Sequence, residues 1–247
     1  EDYEDATQLE IGNSYQLDQQ STNKENERNW LFQTDYVHPF NDKYQLEAGL
    51  KSTLRILDND YLVEQLNVAY EWESLPDYDN NFVFEENIYA AYLIGAAQWD
   101  LFSVQAGLRS EYSDITTELV RTNLRTNRNY ISFFPSIHTS LEIGQENSLQ
   151  LSYSRRISRP RFRSLIPFFG LTDNRNLYGG NPDLQPVFTN SVDFGHLKTW
   201  ENGTLLSSVY FRYRTGVDER ISETDSAGLI RTFPINLSTE IATGYEA

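Results

Sequence analysis

Five arginines fall within nine residues of this chain: Arg155, Arg156, Arg159, Arg161 and Arg163. A guanidinium presents a planar fork of N–H donors that matches carboxylates and phosphates, so the group could hold an anionic group on a ligand, or the phosphates of lipopolysaccharide. Phe162, Phe168, Phe169 and Tyr178 follow in the same stretch. Their rings could stack on a ligand. The competing assignment is structural: the arginines pair with acidic side chains of neighbouring strands and the aromatics pack the loop over whatever lies beneath. The candidate ligand contacts are therefore the loop residues Arg155, Arg156, Arg159, Arg161, Arg163, Phe168, Phe169 and Tyr178.

Other chemistry is sparse. His38, His138 and His196 stand far apart, and none has the paired spacing of a helical zinc site. Wall or interface positions are the expectation for all three. Asp58-Asn59-Asp60 and Asp77-Tyr78-Asp79-Asn80 offer oxygens to a hard cation such as calcium, but neither has the spaced ligands and closing glutamate of an EF-hand loop. Solvated external loop is the better assignment for both. Cysteine is absent, which removes disulfides, thiol catalysis and Cys-ligated metals together. With no nucleophile elbow, phosphate loop or dinucleotide fingerprint either, no enzyme activity, cofactor or metal site is expected. The formal charge of −16 would repel a phosphate backbone, so nucleic acid is not an expected partner.

The elements that must position these residues read as strands. Mean hydropathy is negative, and no run approaches the roughly 18 apolar residues of a spanning helix. A β-barrel escapes that test, because only alternate side chains face lipid. Its interface girdles would account for 16 Tyr, 14 Phe and 4 Trp. Alternation is clearest over residues 44–56, where Tyr44, Leu46, Ala48, Leu50, Leu54 and Ile56 alternate with Gln45, Glu47, Gly49, Lys51, Thr53 and Arg55. Residues 100–112, 148–156 and 205–213 repeat the pattern. Weaker candidates at 7–17, 28–38, 82–94, 129–143, 187–198 and 231–245 bring the total to about ten strands, each longer than the roughly 5 or 6 residues usual in soluble sheets. On the inner face Glu47, Lys51, Arg55, Arg109 and Glu111 would meet a solvated or plugged lumen.

Connections alternate in length. Turns at 39–42, 95–98, 144–147 and 200–203 are short and rich in turn formers, while the links 57–81, 113–128, 158–186 and 216–230 are long. Outer-membrane barrels keep short turns on the periplasmic side and long loops outside the cell, which makes residues 28–38 run inward and 44–57 outward. Residues 18–27 would then be a further external loop after an outward strand at 7–17.

Three patches carry a family pattern: Tyr130-Ile131-Ser132-Phe133-Phe134-Pro135-Ser136, the run from Ser148 through Arg155-Arg156-Ile157-Ser158-Arg159-Pro160, and Gly180-Asn181-Pro182-Asp183-Leu184-Gln185-Pro186. In order and spacing they resemble the C-terminal barrel of TonB-dependent outer-membrane receptors, especially the outer-membrane β-barrel group common in Bacteroidetes. The likeness runs from about residue 28 onward. One departure is Val187, where members often carry an acidic residue. The resemblance implies a barrel of about 22 strands closed around an N-terminal plug, in the outer membrane of a Gram-negative bacterium, importing a scarce nutrient with energy delivered through TonB. A siderophore, glycan, peptide or cobalamin would be the ligand, and a SusD-like lipoprotein a partner in the glycan or peptide case.

On this reading residues 1–247 form part of one barrel domain, with signal peptide, plug and final strands outside the chain. A passive porin or structural outer-membrane barrel is the alternative function. A soluble β-sandwich binding module is a third, set against by strand length and loop order.

Overall fold

The computed structural model describes residues 3–11, 15–76, 79–166, 170–171, 176–224 and 228–247. In chain order the elements are β1 (Tyr3–Ile11), β2 (Tyr15–Asn41), β3 (Tyr44–Leu66), β4 (Trp72–Ser74), β5 (Asn80–Gln98), β6 (Phe102–Leu119), β7 (Leu124–Ile143), β8 (Asn147–Ser158), the single turn α1 (Phe162–Leu165), β9 (Gly170–Leu171), β10 (Asn176–Tyr178), β11 (Val187–Trp200), β12 (Gly203–Thr224) and β13 (Ile230–Glu246). They form one sheet in the order β1-β2-β3-β5-β6-β7-β8-β11-β12-β13-β10-β9, with β4 on β3. Every neighbouring pair is antiparallel except β10 with β13. Ten of the strands are long, in agreement with the sequence pattern.

Period-two alternation puts two chemistries on two faces. One row of the ladder runs Tyr44, Ala97, Val104, Thr139, Leu151, Phe194, Val209 and Tyr245. Another joins Leu50 to Ala91, Ser110 and Phe133. Leu50, Leu93, Leu108 and Phe133 on this face are half or more exposed, as lipid-facing residues in an isolated wall should be. The opposite face carries Glu47, Lys51, Arg55, Arg109 and Glu111. Here Tyr92 lies flat over Gly49, where an added Cβ would come within 2.4 Å of the ring, and its hydroxyl reaches Asp35 and stands 2.9 Å from Glu47. Tyr210 covers Gly244 in the same manner. In both cases the aromatic ring fills a side-chain gap on the directly paired strand.

The rows also climb. Tyr44 directly follows the Asp42–Lys43 turn, yet Phe194, on the same row, stands six residues before Trp200, where β11 turns. Such stagger is the shear that tilts strands in a barrel wall. The short turns expected at 144–147 and 200–203 fall there, while those expected at 39–42 and 95–98 come later, at 42–43 and 99–101, with residues 95–98 still in β5; Tyr44, Trp99 and Phe102 pack ring against ring beside the second of these. Tyr89 and Tyr112 stack with centroids 6.4 Å apart farther up the wall, as an upper girdle.

Three sequence assignments need correction. Residues 18–27 are strand within β2, paired with β3 from Gln19 upward, not an external loop. The expected strand at 7–17 divides between β1 and β2, and β1 pairs only with residues 15–23, beyond the membrane band. The long links at 57–81, 113–128 and 216–230 are largely strand: β6 and β7 meet at a turn of only Val120–Asn123. A bilayer needs about 9 to 11 residues per strand, so a strand of 27 residues projects well past it. Past the lipid, nothing demands an apolar outer face, and polar residues appear there while backbone pairing continues and the inner face turns apolar under the loop.

The true loop follows β8. It turns to the inner face, where Phe162, Leu165 and Leu184 join Leu57, Phe82, Phe84 and Leu119 in a buried cluster. This is the apolar core. Each such side chain removed from water contributes about 1.5–3 kcal/mol.

Candidate functional site

The site is built where this loop crosses the upper, inner face of the wall. Arg159, the first residue after β8, donates to Glu111 at 2.6 Å and to Ser113 at 2.8 Å, with Glu86 at 4.0 Å. Glu111 also accepts from Arg109 at 2.6 Å. Burial works against the Arg159 charge, and hydrogen bonding and charge interaction with Glu111 and Tyr130 together outweigh it, so its pKa lies above the usual arginine value. Arg128 of β7 forms a second clamp, donating to the carbonyls of Leu184 (2.7 Å) and Pro182 and to the Asp183 carboxylate (2.8 Å). Gly180 donates to Ile166 and Asn181 to Ser164, each at 2.7 Å. A Cβ at Gly180 would strike the Ser164 backbone at 2.6 Å, so this crossing needs glycine.

The far side of the loop is tied to β13. Gly179 donates to the Thr232 carbonyl at 3.1 Å, Asn181 Nδ2 to the Pro234 carbonyl at 3.0 Å, and Gln185 N–H to Asn236 at 2.7 Å. At its near side Arg163 reaches Glu25 of β2 at 3.3 Å. Between β2 and β13 lie eight ladder steps, roughly 38 Å across a flat sheet. The route from Glu25 through Arg163, Ser164 and Asn181 to Pro234 zigzags through three side chains and one backbone–backbone hydrogen bond, and is shorter. The sheet must therefore curl, with the loop strung across its concave side.

The candidate residues do not converge on one anion site. Arg155 and Arg156 belong to β8 rather than to the loop, on opposite faces. Arg155 stacks over Phe188, 4.8 Å from the ring centroid. Arg156 and Arg161 are exposed, Arg161 being the residue before α1. Arg163 lies over Phe162, which is buried packing. Tyr178 is exposed on β10, also strand rather than loop. Phe168 and Phe169 lie outside the described residues. Pairing with the wall, the structural assignment, holds for Arg159 and Arg163.

Asp58 and Asp60 point away from Asn59, which is buried and donates to Asn23 at 2.6 Å. The three residues therefore do not share one site. Asp77 and Tyr78 lie outside the described residues, and Asp79 accepts from Val63 N–H at 2.6 Å. His196 contacts Asn147 at 3.0 Å, and His38 sits between Tyr36 and Phe40 on the outer face.

Sequence reasoning missed Pro135. The β7–β8 ladder ends at Ser136↔Ser154, although β7 continues back to Leu124 and β8 on to Ser158. Pro135 would face Arg155 next. Proline has no N–H to donate and belongs at a sheet edge, so a proline inside a strand pattern was the available signal. Above it the wall opens into a groove of about 580 Å³ between residues 127–132 and Gln185, Pro186 and Phe188.

A staggered antiparallel wall, lipid-compatible outside and ionic inside, with short turns at one end, defines an outer-membrane β-barrel. All of residues 1–247 match the model of the outer membrane protein beta-barrel family, and the chain belongs to that family and to the Gram-negative outer membrane. No curated protein matches it in sequence. Similar solved structures are the copper transporter OprC (13% identity, 93% of this chain and 34% of that chain, TM-score 0.60) and the hemophore receptor HasR of Serratia marcescens, solved as a double mutant with its hemophore HasA and heme (10%, 94% and 51%, 0.56). The ferric citrate transporter FecA, unliganded, is a third (10%, 98% and 34%, 0.55). At these identities the likeness is one of fold. The chain spans between a third and about half of the length of these proteins.

Proposed function

We propose that residues 1–247 form part of the wall of a larger barrel, of about 22 strands around a plug, that imports a scarce nutrient using energy supplied through TonB. The observation that carries this reading is the inward loop. It is clamped to the inner wall by Arg159 and Arg128 and strung across the concave side, which narrows the mouth as a ligand receptor requires. Transport or receptor roles in the names of HasR, FecA and OprC point the same way. Open sheet edges support closure by further strands, because each unsatisfied backbone group in hydrocarbon costs several kcal/mol. A siderophore, glycan or peptide is the ligand class, with a SusD-like lipoprotein as partner for the last two. Arg155, Arg156, Arg161, Arg163 and Tyr178 are the exposed or half-exposed candidates among the described residues for ligand or lipopolysaccharide contact.

The test pairs two measurements on the native polypeptide that carries this segment. Reconstituted in planar bilayers it should show no steady open conductance. In cells, its contribution to uptake from a panel of ferric siderophores, oligosaccharides and peptides should vanish when TonB is deleted. A steady ion conductance with TonB-independent uptake would establish the passive porin instead.

A further inference from the structure

Arg155 and Arg156 are adjacent in sequence but divided between two solvents. Arg156 pairs with Thr189 on the inner face, whereas Arg155 pairs with Asn190 in an outer row that continues to Tyr213. Arg155 stands eight residues above the start of β8 at Asn147. At about 3.4 Å per residue and a tilt of about 40° this is roughly 21 Å above the periplasmic turn, near the top of an apolar band about 25 Å tall. Directly below it the outer rows are apolar: Val192 and Phe211, then Leu151, Phe194 and Val209, all exposed.

Charge sets this part of the outer face apart. In a chain with 36 acidic residues, the outward positions of β7, β8 and β11, of β12 up to Thr215 and of β13 from Thr239 hold no Asp or Glu. Across the wall, by contrast, Asp58, Glu85 and Asp114 occupy the outer face above Tyr89 and Tyr112. The Arg155 guanidinium lies over Phe188, 4.8 Å from the ring centroid, and its Nε is buried without a hydrogen-bond partner. Stacking engages the face of the guanidinium and leaves the terminal N–H groups at its edge to donate. Beside it, Tyr153 donates to Asn190 Oδ1 at 3.0 Å, which leaves the Asn190 Nδ2 amide to donate as well. Two donors from the Arg155 fork and one from Asn190 match the three free oxygens of a phosphomonoester, which carries a charge of about −1.5 to −2. A phosphodiester offers fewer free oxygens and a single charge.

We propose that Arg155 and Asn190 form a lipid-facing phosphate site, which holds the phosphomonoester of lipid A, the membrane anchor of lipopolysaccharide, while its acyl chains lie on the apolar rows below. This deepens the lipopolysaccharide alternative given above for Arg155 and removes that residue from the nutrient site, while Arg156 stays on the lumen side. It rests on the outer-membrane wall and not on TonB, so its failure and the failure of energised uptake are read separately.

Mass spectrometry under non-denaturing conditions, on the native polypeptide in detergent titrated with lipid A, counts the bound lipid. Lipid A bearing its phosphates should bind, and enzymatic removal of the phosphates should weaken binding about tenfold or more, since the charge-assisted hydrogen bonds go together. Phosphatidylglycerol, a diester, should bind about tenfold more weakly than lipid A. Arg155→Gln should weaken lipid A binding about tenfold while the barrel keeps its heat-modifiable migration. Lys198→Gln, on the outer face of β11 by the periplasmic turn, should not weaken it. The lipid comparisons need no variant, so they decide the matter even where Arg155→Gln fails to fold. No binding of lipid A, equal binding of the dephosphorylated lipid or of phosphatidylglycerol, or an equal effect of the two substitutions would overturn the proposal.

Discussion

Arg159 shows how one residue sets the mouth of the wall. It directly follows the end of β8 in a basic run, and its type announces an anion, but only the fold decides which one. Its partners lie 48 and 46 residues away in sequence, at Glu111 and Ser113. Side-chain exposures of 17% for Arg159 and 7% for Glu111 mean that water cannot replace either partner. Removing one charge of such a pair leaves the other buried and uncompensated. Glu111→Gln should accordingly destabilise the folded wall by about 3 kcal/mol, measured by urea unfolding in detergent, and should open the loop to trypsin near Arg161 and Arg163. A change within about 0.5 kcal/mol, the range of ordinary surface substitutions, would show that the loop is held by its apolar contacts alone. Arg163, 70% exposed against Glu25, is a screened surface pair and should contribute little.

At the scale of the strand, lipid contact wrote the pattern that sequence could show. Residues 44–56 were legible because hydrocarbon demands an apolar residue at every second position there. Leu50 is 60% exposed on the outer face while Lys51 points inward. Leu50→Arg should therefore impair insertion by about 2–4 kcal/mol, whereas Lys51→Arg should be tolerated; folding yield into vesicles would separate the two, and equal effects would contradict the alternation. Residues 18–27 and 58–66 were not legible as strand. Nothing outside the bilayer forces one face to be apolar, and Asn23, Asn59 and Asp60 look like loop until their pairing is seen. The loop carrying Arg159 was legible from its four prolines and its glycines, but its destination was not: Leu165 and Leu184 find Leu57 and Phe82 only through the curl of the sheet. Pro135 could have been read as the point where the β7–β8 ladder stops.

For the molecule as a whole, the two faces and the stagger act together. Outer apolar rows, inner charges and climbing register are what a tilted barrel wall needs, and each follows from period-two alternation combined with the short turns at one end. Curvature was invisible in the sequence because it rests on contacts between β2, the crossing loop and β13, which no local pattern encodes. The absence of cysteine makes the wall open to a direct test. Single cysteines placed in turn at positions 44–56 of the native polypeptide, spin-labelled in lipid vesicles, report collision with oxygen, which concentrates in hydrocarbon, and with a water-soluble nickel chelate. The membrane wall predicts period-two alternation in both, out of phase, with oxygen access highest at Leu46, Ala48, Leu50 and Leu54 and nickel access at Glu47, Lys51 and Thr53. In-phase variation of the two, or nickel access at Leu50 equal to that at Lys51, would contradict a lipid-facing β-wall.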